Sequence, residues 1–116
     1  MSARLKSSLF VAAYLRRAMA EGAFAALRQR GSEEAGAIFV KIDHLDGTAV
    51  LYGPAPQSLI TEDDGVRRFV RLTQAGATPL DVETRLQREF RFDPDLWVIE
   101  AEDRQGRHFL DLAEES

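Results

Sequence analysis

The sequence contains no cysteine. Disulfide bonds, thiolate metal sites and cysteine nucleophiles are therefore excluded. A chain without disulfides suits a reducing compartment, so we expect a cytoplasmic protein.

Long apolar runs are also missing, since a membrane-spanning helix takes about 20 apolar residues. The longest uncharged apolar stretch near the start is Leu9 to Leu15, which two arginines follow. This stretch is too short for a signal-peptide core with a cleavage site. We therefore expect a buried helix there and no membrane association.

The usual catalytic signatures are absent as well. We find no phosphate-binding glycine loop, paired-histidine zinc motif, calcium loop or nucleophile elbow. The only histidines are His44 and His108. These absences predict no catalytic residue, no cofactor and no metal.

The composition is that of a globular domain, and 116 residues with 45% hydrophobic and 29% charged side chains predict a single domain over residues 1–116. The net charge is −4. An acidic chain gains little from phosphate neutralisation, which argues against nucleic acid as the main partner.

The N-terminal third contains one clear helix and one ambiguous segment. Ser7 or Ser8 can cap the helix, whose apolar residues recur at helical spacing: Phe10, Val11, Tyr14, Leu15, Ala18 and Met19. Residues 23–30 suit either a helix or a strand. We predict a strand, joined to the next one by a hairpin loop over residues 31–36.

A β-hairpin is the clearest local pattern. Apolar residues alternate from Ala37 to His44, and Asp46-Gly47 favours a two-residue type I′ turn before Thr48 to Tyr52. This turn places Ile42 opposite Leu51 and Lys41 opposite Tyr52. A loop over residues 53–65, with an acidic run at 62–64, then leads to a strand over residues 66–73.

The second helix has a start and a stop. Thr78 is the N-cap, with Pro79 in the first turn and Asp81 completing a capping box. Asp93-Pro94 ends the helix, because the residue before proline avoids the helical conformation.

A second hairpin is predicted after this helix. The strand Leu96 to Asp103 has Trp97, Ile99 and Ala101 on its core face. Arg104-Gln105-Gly106 suits a three-residue loop, so that residues 107–111 pair back and residues 113–116 fray. The predicted fold is α+β, with the order α-β-β-β-β-α-β-β. It has two layers: a mainly antiparallel sheet of about six strands and two helices on one face.

Two carboxylates and a histidine meet in that second hairpin. Glu100 and Glu102 share a strand face, and the loop length sets His108 opposite Glu102. Such a set could bind a divalent metal in a small enzyme or metal-binding protein. The alternative is a solvated sheet face with cross-strand charge pairs.

A basic strand provides a third possibility. Arg67, Phe69 and Arg71 share one face, and an exposed aromatic between arginines could stack on a base and hold phosphates. The alternative is an edge strand protected by charge, with Phe69 partly under a helix.

The sheet face away from the helices is the most informative surface. In the predicted register it carries a mixed apolar, aromatic and basic set: Phe39, Lys41, Val50, Tyr52 and Phe69. Such a patch suits a partner better than water. We therefore predict a non-enzymatic interaction module that self-associates or binds a protein partner, with Lys41, Tyr52, Arg67, Phe69 and Arg71 as binding residues.

A family resemblance covers nearly the whole chain. Its most specific part is the run from Phe92 to Glu100, followed by Glu102-Asp103-Arg104 and Gly106-Arg107-His108. Arg4-Leu5-Lys6, Ala35-Gly36-Ala37 and Leu45-Asp46-Gly47 add to it. Together these residues resemble the short bacterial proteins of domain of unknown function 1491. The resemblance implies a small free-standing protein and assigns no activity to any residue.

Overall fold

Two α-helices and five β-strands make up the residues that the computed structural model describes, 5–60 and 64–113. The predictions for Glu62, Asp63 and residues 114–116 lie outside these ranges. The elements are α1 (Ser7–Ala20), β1 (Phe24–Gln29), β2 (Ile38–Asp43), β3 (Ala49–Pro54), a short 3-10 helix (Gln57–Leu59), β4 (Phe69–Arg71), α2 (Pro79–Phe92) and β5 (Trp97–Glu102). The ambiguous segment at 23–30 is thus a strand, and the strand predicted over 66–73 is shorter than expected.

Helix α1 buries the predicted stripe, with Val11, Tyr14 and Ala18 in the core. The predicted serine cap is wrong, because Ser7 lies inside the first turn and makes no capping hydrogen bond. Its Oγ instead donates to the carbonyl oxygen of Gly36 at 2.7 Å. This buried bond ties the start of α1 to the loop before β2.

The sheet order is β1-β5-β2-β3-β4, so β5 lies between β1 and β2. Strands β5 and β2 are parallel, whereas the other three pairs are antiparallel. The predicted hairpin between β1 and β2 is therefore wrong. Its physical reason lies in β5, where Trp97, Val98 and Ile99 are all buried. A strand that is apolar on both faces is stable in the interior of a sheet rather than at its edge.

The hairpin of β2 and β3 forms, but its register differs by one residue from the prediction. Ile42 lies opposite Val50, and Lys41 lies opposite Leu51. The turn contains Leu45, Asp46 and Gly47 rather than two residues, because the His44 backbone N–H donates to the Thr48 carbonyl at 3.0 Å. Gly47 has the positive φ expected of it, +91°.

That one-residue shift reverses the two faces of β3. Val50 and Tyr52 join the core beneath α1, whereas Ala49 and Leu51 join the core beneath α2. The residues that we predicted on one free face are therefore divided between two buried faces, with Val50, Tyr52 and Phe69 in the core beneath α1 and Phe39 in the core beneath α2.

The helices cover opposite faces of the sheet, not one face as predicted. Helix α1 packs with Ile38, Val40 and Ile42, and this side is called the α1 face. Helix α2 packs through Val82 and Leu86 on the other side, the α2 face. Strands that are apolar on both faces require a helix on each side, so the domain has three layers.

The capping box of α2 is present as predicted. Thr78 accepts a hydrogen bond from the Asp81 backbone N–H, and the Asp81 carboxylate accepts one from the Thr78 N–H. Pro79 lies in the first turn, and the helix ends before Asp93. Local signals therefore determine both ends of this helix.

The predicted sixth strand is wrong, so the described sheet has five strands. Residues 107–111 have no edge of β5 to pair with, because β1 and β2 occupy both. The chain crosses instead to β4, where the Phe69 N–H donates to the Asp111 carbonyl and the Ala113 N–H donates to the Phe69 carbonyl, both at 2.9 Å. The core face of Trp97, Ile99 and Ala101 is as predicted.

Candidate interaction edge and the charged cluster beside it

The structure does not bring Glu100, Glu102 and His108 together. Glu100 lies on the α2 face, where its carboxylate contacts Arg28 and Lys41 at 3.2 and 3.7 Å. The His108 ring packs against Tyr52, a residue of the α1 face, with centroids 5.2 Å apart. Within residues 5–60 and 64–113 no three histidine or carboxylate side chains are arranged to hold a metal ion. The predicted juxtaposition depended on the hairpin that β5 does not form.

The segment around His108 is attached to α1 instead. The Tyr14 hydroxyl donates to the His108 carbonyl oxygen at 2.7 Å, and the His108 Nδ1 accepts from the Leu110 N–H at 2.9 Å. Burial raises the pKa of Tyr14 well above its ordinary value. Burial, and then the charge of Arg71, lowers the pKa of His108. Both groups are therefore neutral parts of the packing near pH 7.

The basic strand does not present an exposed aromatic between its arginines. Phe69 is only 2% exposed and packs against Phe10 with ring centroids 5.6 Å apart. Arg67 Nη2 donates to the Leu5 carbonyl at 2.9 Å and to Ser7 Oγ at 3.0 Å. Arg71 is exposed opposite the buried Tyr52. A base could not stack on Phe69 without displacing α1.

Lys41 belongs to a charged cluster on the α2 face, which we call the Arg28–Glu83 cluster: Arg28, Lys41, Glu83 and Glu100. Arg28 binds Glu83 through both terminal nitrogens at 2.7 Å, and Lys41 Nζ reaches Glu83 at 3.0 Å. The side chain of Lys41 is only 13% exposed. The cluster joins β1, β2 and β5 to α2.

Sequence reasoning found Lys41 and Glu100 but missed Arg28 and Glu83. These two residues are far apart in the chain and carry no motif. The sequence pattern that could have found Arg28 is the alternation of faces along β1. It puts Arg28 on the same face as Ala26, and Ala26 lies opposite Glu100 on β5.

The bidentate contact changes the titration of Glu83. Hydrogen bonding from Arg28 lowers its pKa from the ordinary 4.5 to about 2, with Lys41 adding to the effect. Hydrogen bonding to Glu83 also raises the pKa of Arg28. The ion pair therefore stays charged throughout the neutral range.

Acid should weaken the fold through Glu83. Because its pKa is lower in the folded chain than in the unfolded one, its contribution is complete above pH 4.5 and is lost as the pH falls through about 2. The group is partly solvated, so we expect about 1 kcal/mol. Urea unfolding of the protein and of Glu83→Gln from pH 6 to pH 2 measures it.

The Gln variant should be less stable at pH 6, and the difference should shrink towards pH 2. Other carboxylates contribute to the acid response of both proteins, since hydrogen bonding from Arg107 also lowers the pKa of Asp103. Only the difference between the two curves is diagnostic. A difference that stays constant with pH would contradict the ionised pair.

The two edges of the sheet differ. At the β4 edge the chain around Leu112 forms a parallel bridge with Phe69. At the other edge, β5 is the only strand among residues 5–60 and 64–113 that pairs with β1. The outer side of β1 is thus open over the described chain.

Strand β1 presents two different faces along this open edge. Ala25 is buried and Leu27 partly buried against the core of the α1 face. Phe24 and Ala26 are exposed on the α2 face, and Phe24 is 60% exposed. An exposed aromatic beside an unpaired strand edge makes this the most distinctive open surface of the described residues.

Neither described helix is long and apolar enough to cross a membrane.

Comparison with known proteins gives one family and several solved structures. The family model described as protein of unknown function (DUF1491) matches residues 5–111. The solution structure of protein Atu0922 from A. tumefaciens is 44% identical, with 97% of this chain and 98% of that chain covered and a TM-score of 0.80. No curated protein matches.

Two further structures are of DUF1491 family proteins from Caulobacter crescentus. The crystal structure is 38% identical, covers 97% of this chain and 98% of that chain, and has a TM-score of 0.78. The NMR structure is 41% identical, covers 97% of each chain and has a TM-score of 0.76. The α+β fold is therefore shared along nearly the whole length.

Proposed function

This chain belongs to the DUF1491 family, proteins of unknown function, and from that premise we propose that it is a non-enzymatic interaction module that binds an extended polypeptide segment along β1. The resemblance seen in the sequence is confirmed by the family match. The observation that carries the proposal is the contrast between the covered β4 edge and the open β1 edge.

An open edge strand is a template for pairing, because its outward N–H and C=O groups lack strand partners. Natural domains protect such edges with charges, bulges, short strands or covering loops. At the β4 edge this chain uses a three-residue strand and a covering segment. Strand β1 has six residues and begins with four apolar ones.

Protection of β1 is confined to its C-terminal end. The register with β5 shifts between Leu27 and Gln29, and Arg28 lies at this bulge. Residues from Phe24 to Leu27 pair regularly with β5. The stretch that is both regular and open is therefore apolar, as strand addition requires.

The other two candidate functions have less support. A metal-dependent enzyme would need Glu100, Glu102 and His108 in one place, and His108 lies on the other face of the sheet. A nucleic-acid interface on β4 would need an accessible Phe69, which is buried. We place the module in the cytoplasm on the strength of its cysteine-free sequence.

Site-specific photo-crosslinking tests the proposal. A photoreactive side chain at Ala26, in the full chain produced in bacterial cells, should give adducts with polypeptides after illumination. The same side chain at Ser58, an exposed position away from β1, is the matched control. Adducts at Ala26 but not at Ser58 would support an interaction edge. Equal yields at both positions, or no adduct at Ala26, would contradict it.

A further inference from the structure

We propose that the segment pairing with β1 is β1 of a second copy of this chain, antiparallel, with the twofold axis at Ala26. This inference rests on the proposed function, since it names the partner of the same edge. Its evidence is that the side chains along β1 complement those of a second copy in this one register.

Sheet faces restrict the registers that are possible. In an antiparallel pair related by a twofold axis, the α1 face of one copy continues into the α1 face of the other. Residues that lie opposite each other must therefore share a face. Phe24, Ala26 and Arg28 share the α2 face, and Ala25 and Leu27 share the α1 face. One residue must consequently lie opposite its own copy, with the twofold axis between the two.

Placing the axis at Ala26 gives three complementary pairs. Phe24 lies opposite Arg28 of the second copy, where the guanidinium can stack on the exposed ring. Ala26 lies opposite itself, so there is no bulk or charge to clash at the axis. On the α1 face Ala25 lies opposite Leu27, and a small residue meets a large one. The residues next to the axis, Ala25 to Leu27, lie in the regular part of the strand in both copies, and the bulge at Arg28 lies at the outer end of the pairing.

Neighbouring registers are poorer. An axis at Ala25 would place Arg28 opposite Gly22, outside the strand, and leave it without an aromatic partner. An axis at Leu27 would bring the bulge at Arg28 next to the axis, with Phe24 opposite Arg30 and Ala26 opposite Arg28. Only the Ala26 axis combines regular strand next to the axis in both copies with a cation opposite Phe24.

A charge-exchange experiment tests the register. Sedimentation equilibrium of the purified full chain should give a monomer–dimer equilibrium. Ala26→Lys and Ala26→Glu each set like charges opposite each other at the axis, so each variant should dimerise about tenfold or more weakly. An equimolar mixture of the two should form a heterodimer with affinity near that of the parent. Circular dichroism checks that both variants fold.

Aromatic variants distinguish pairing in this register from nonspecific hydrophobic association. Phe24→Ala should weaken dimerisation, whereas Phe92→Ala should not, although Phe92 is the more exposed ring at 84%. Ser58→Lys, with the same charge change as Ala26→Lys, should leave the dimer intact. Loss at Ala26 with rescue in the mixture would support the twofold pairing.

Two results would overturn the inference, and they bear differently on the proposed function. A dimer indifferent to the Ala26 substitutions would place self-association elsewhere on the molecule. A parent protein that stays monomeric up to millimolar concentration would exclude β1–β1 pairing. In either case, photo-crosslinks from Ala26 to polypeptides other than a second copy of this chain would still support the proposed function. If such crosslinks were also absent, the proposed function would be contradicted as well.

Discussion

Replacing Trp97 by alanine is expected to lower the free energy of unfolding by about 3–5 kcal/mol. The side chain is 1% exposed and lies in the core of the α1 face. Its indole N–H donates to the Ser32 carbonyl at 2.7 Å, and Arg30 lies over the ring at 5.3 Å. The alanine variant thus loses apolar burial and leaves Ser32 without this donor.

Denaturant unfolding measures the loss, and two variants calibrate it. Trp97→Phe keeps most of the ring but removes the donor, so it should cost less, about 1–2 kcal/mol. Phe92→Ala removes an exposed ring and should change stability by less than about 0.5 kcal/mol. A loss below about 1 kcal/mol for Trp97→Ala would mean that β5 is not at the centre of the sheet.

Adding a single methyl group at Gly31 is expected to cost about 3 kcal/mol, at the upper end of overpacking effects. A Cβ there would overlap the Asp95 carbonyl oxygen and lie 2.6 Å from the Leu96 carbonyl carbon. Both atoms are backbone, so rotation of a side chain cannot relieve the contact. The loop leaving β1 would have to move away from the start of β5.

Gly76→Ala is the matched control for Gly31→Ala. Its φ is +82°, and a Cβ there would have nothing within 4 Å. The control therefore reports backbone strain alone, about 1 kcal/mol. Thermal unfolding of both variants separates the two causes. Equal losses would show that the Gly31 loop is not packed against β5.

Local structure was largely predictable because its causes are local. The α2 capping box depends on Thr78 and Asp81, which are three residues apart. The positive φ of Gly47 follows from the tolerance of glycine for that conformation in a tight turn, although the turn that forms has three residues. The core face of Trp97, Ile99 and Ala101 follows from simple alternation.

Sheet order and loop length were not predictable in the same way. The insertion of β5 beside β2 depends on burial of both its faces, which alternation does not reveal. The turn after His44 has one residue more than its sequence suggested, and this reversed the faces of β3. These two errors in strand pairing are the reason why the sequence predicted Tyr52 on an open face and His108 beside Glu102.

The open edge of β1 shows the same difference between local structure, which was predictable, and long-range pairing, which was not. The strand nature of residues 24–29 was predicted, whereas its position at the edge depends on β5 passing inside it. The Arg28–Glu83 pair joins residues from β1 and α2, which no spacing rule connects. Long-range pairing therefore decides which surfaces are open.

The central position of β5 has a consequence for how the chain folds during synthesis. Strands β1 and β2 leave the ribosome long before β5, and neither pairs with the other. In the finished domain β5 pairs with one edge of β1 and one edge of β2. Both of these edges stay unpaired until β5 has been synthesised. Such a high contact order slows folding and prolongs exposure of apolar strands. We therefore expect the chain to be most prone to aggregate before β5 has paired with both strands.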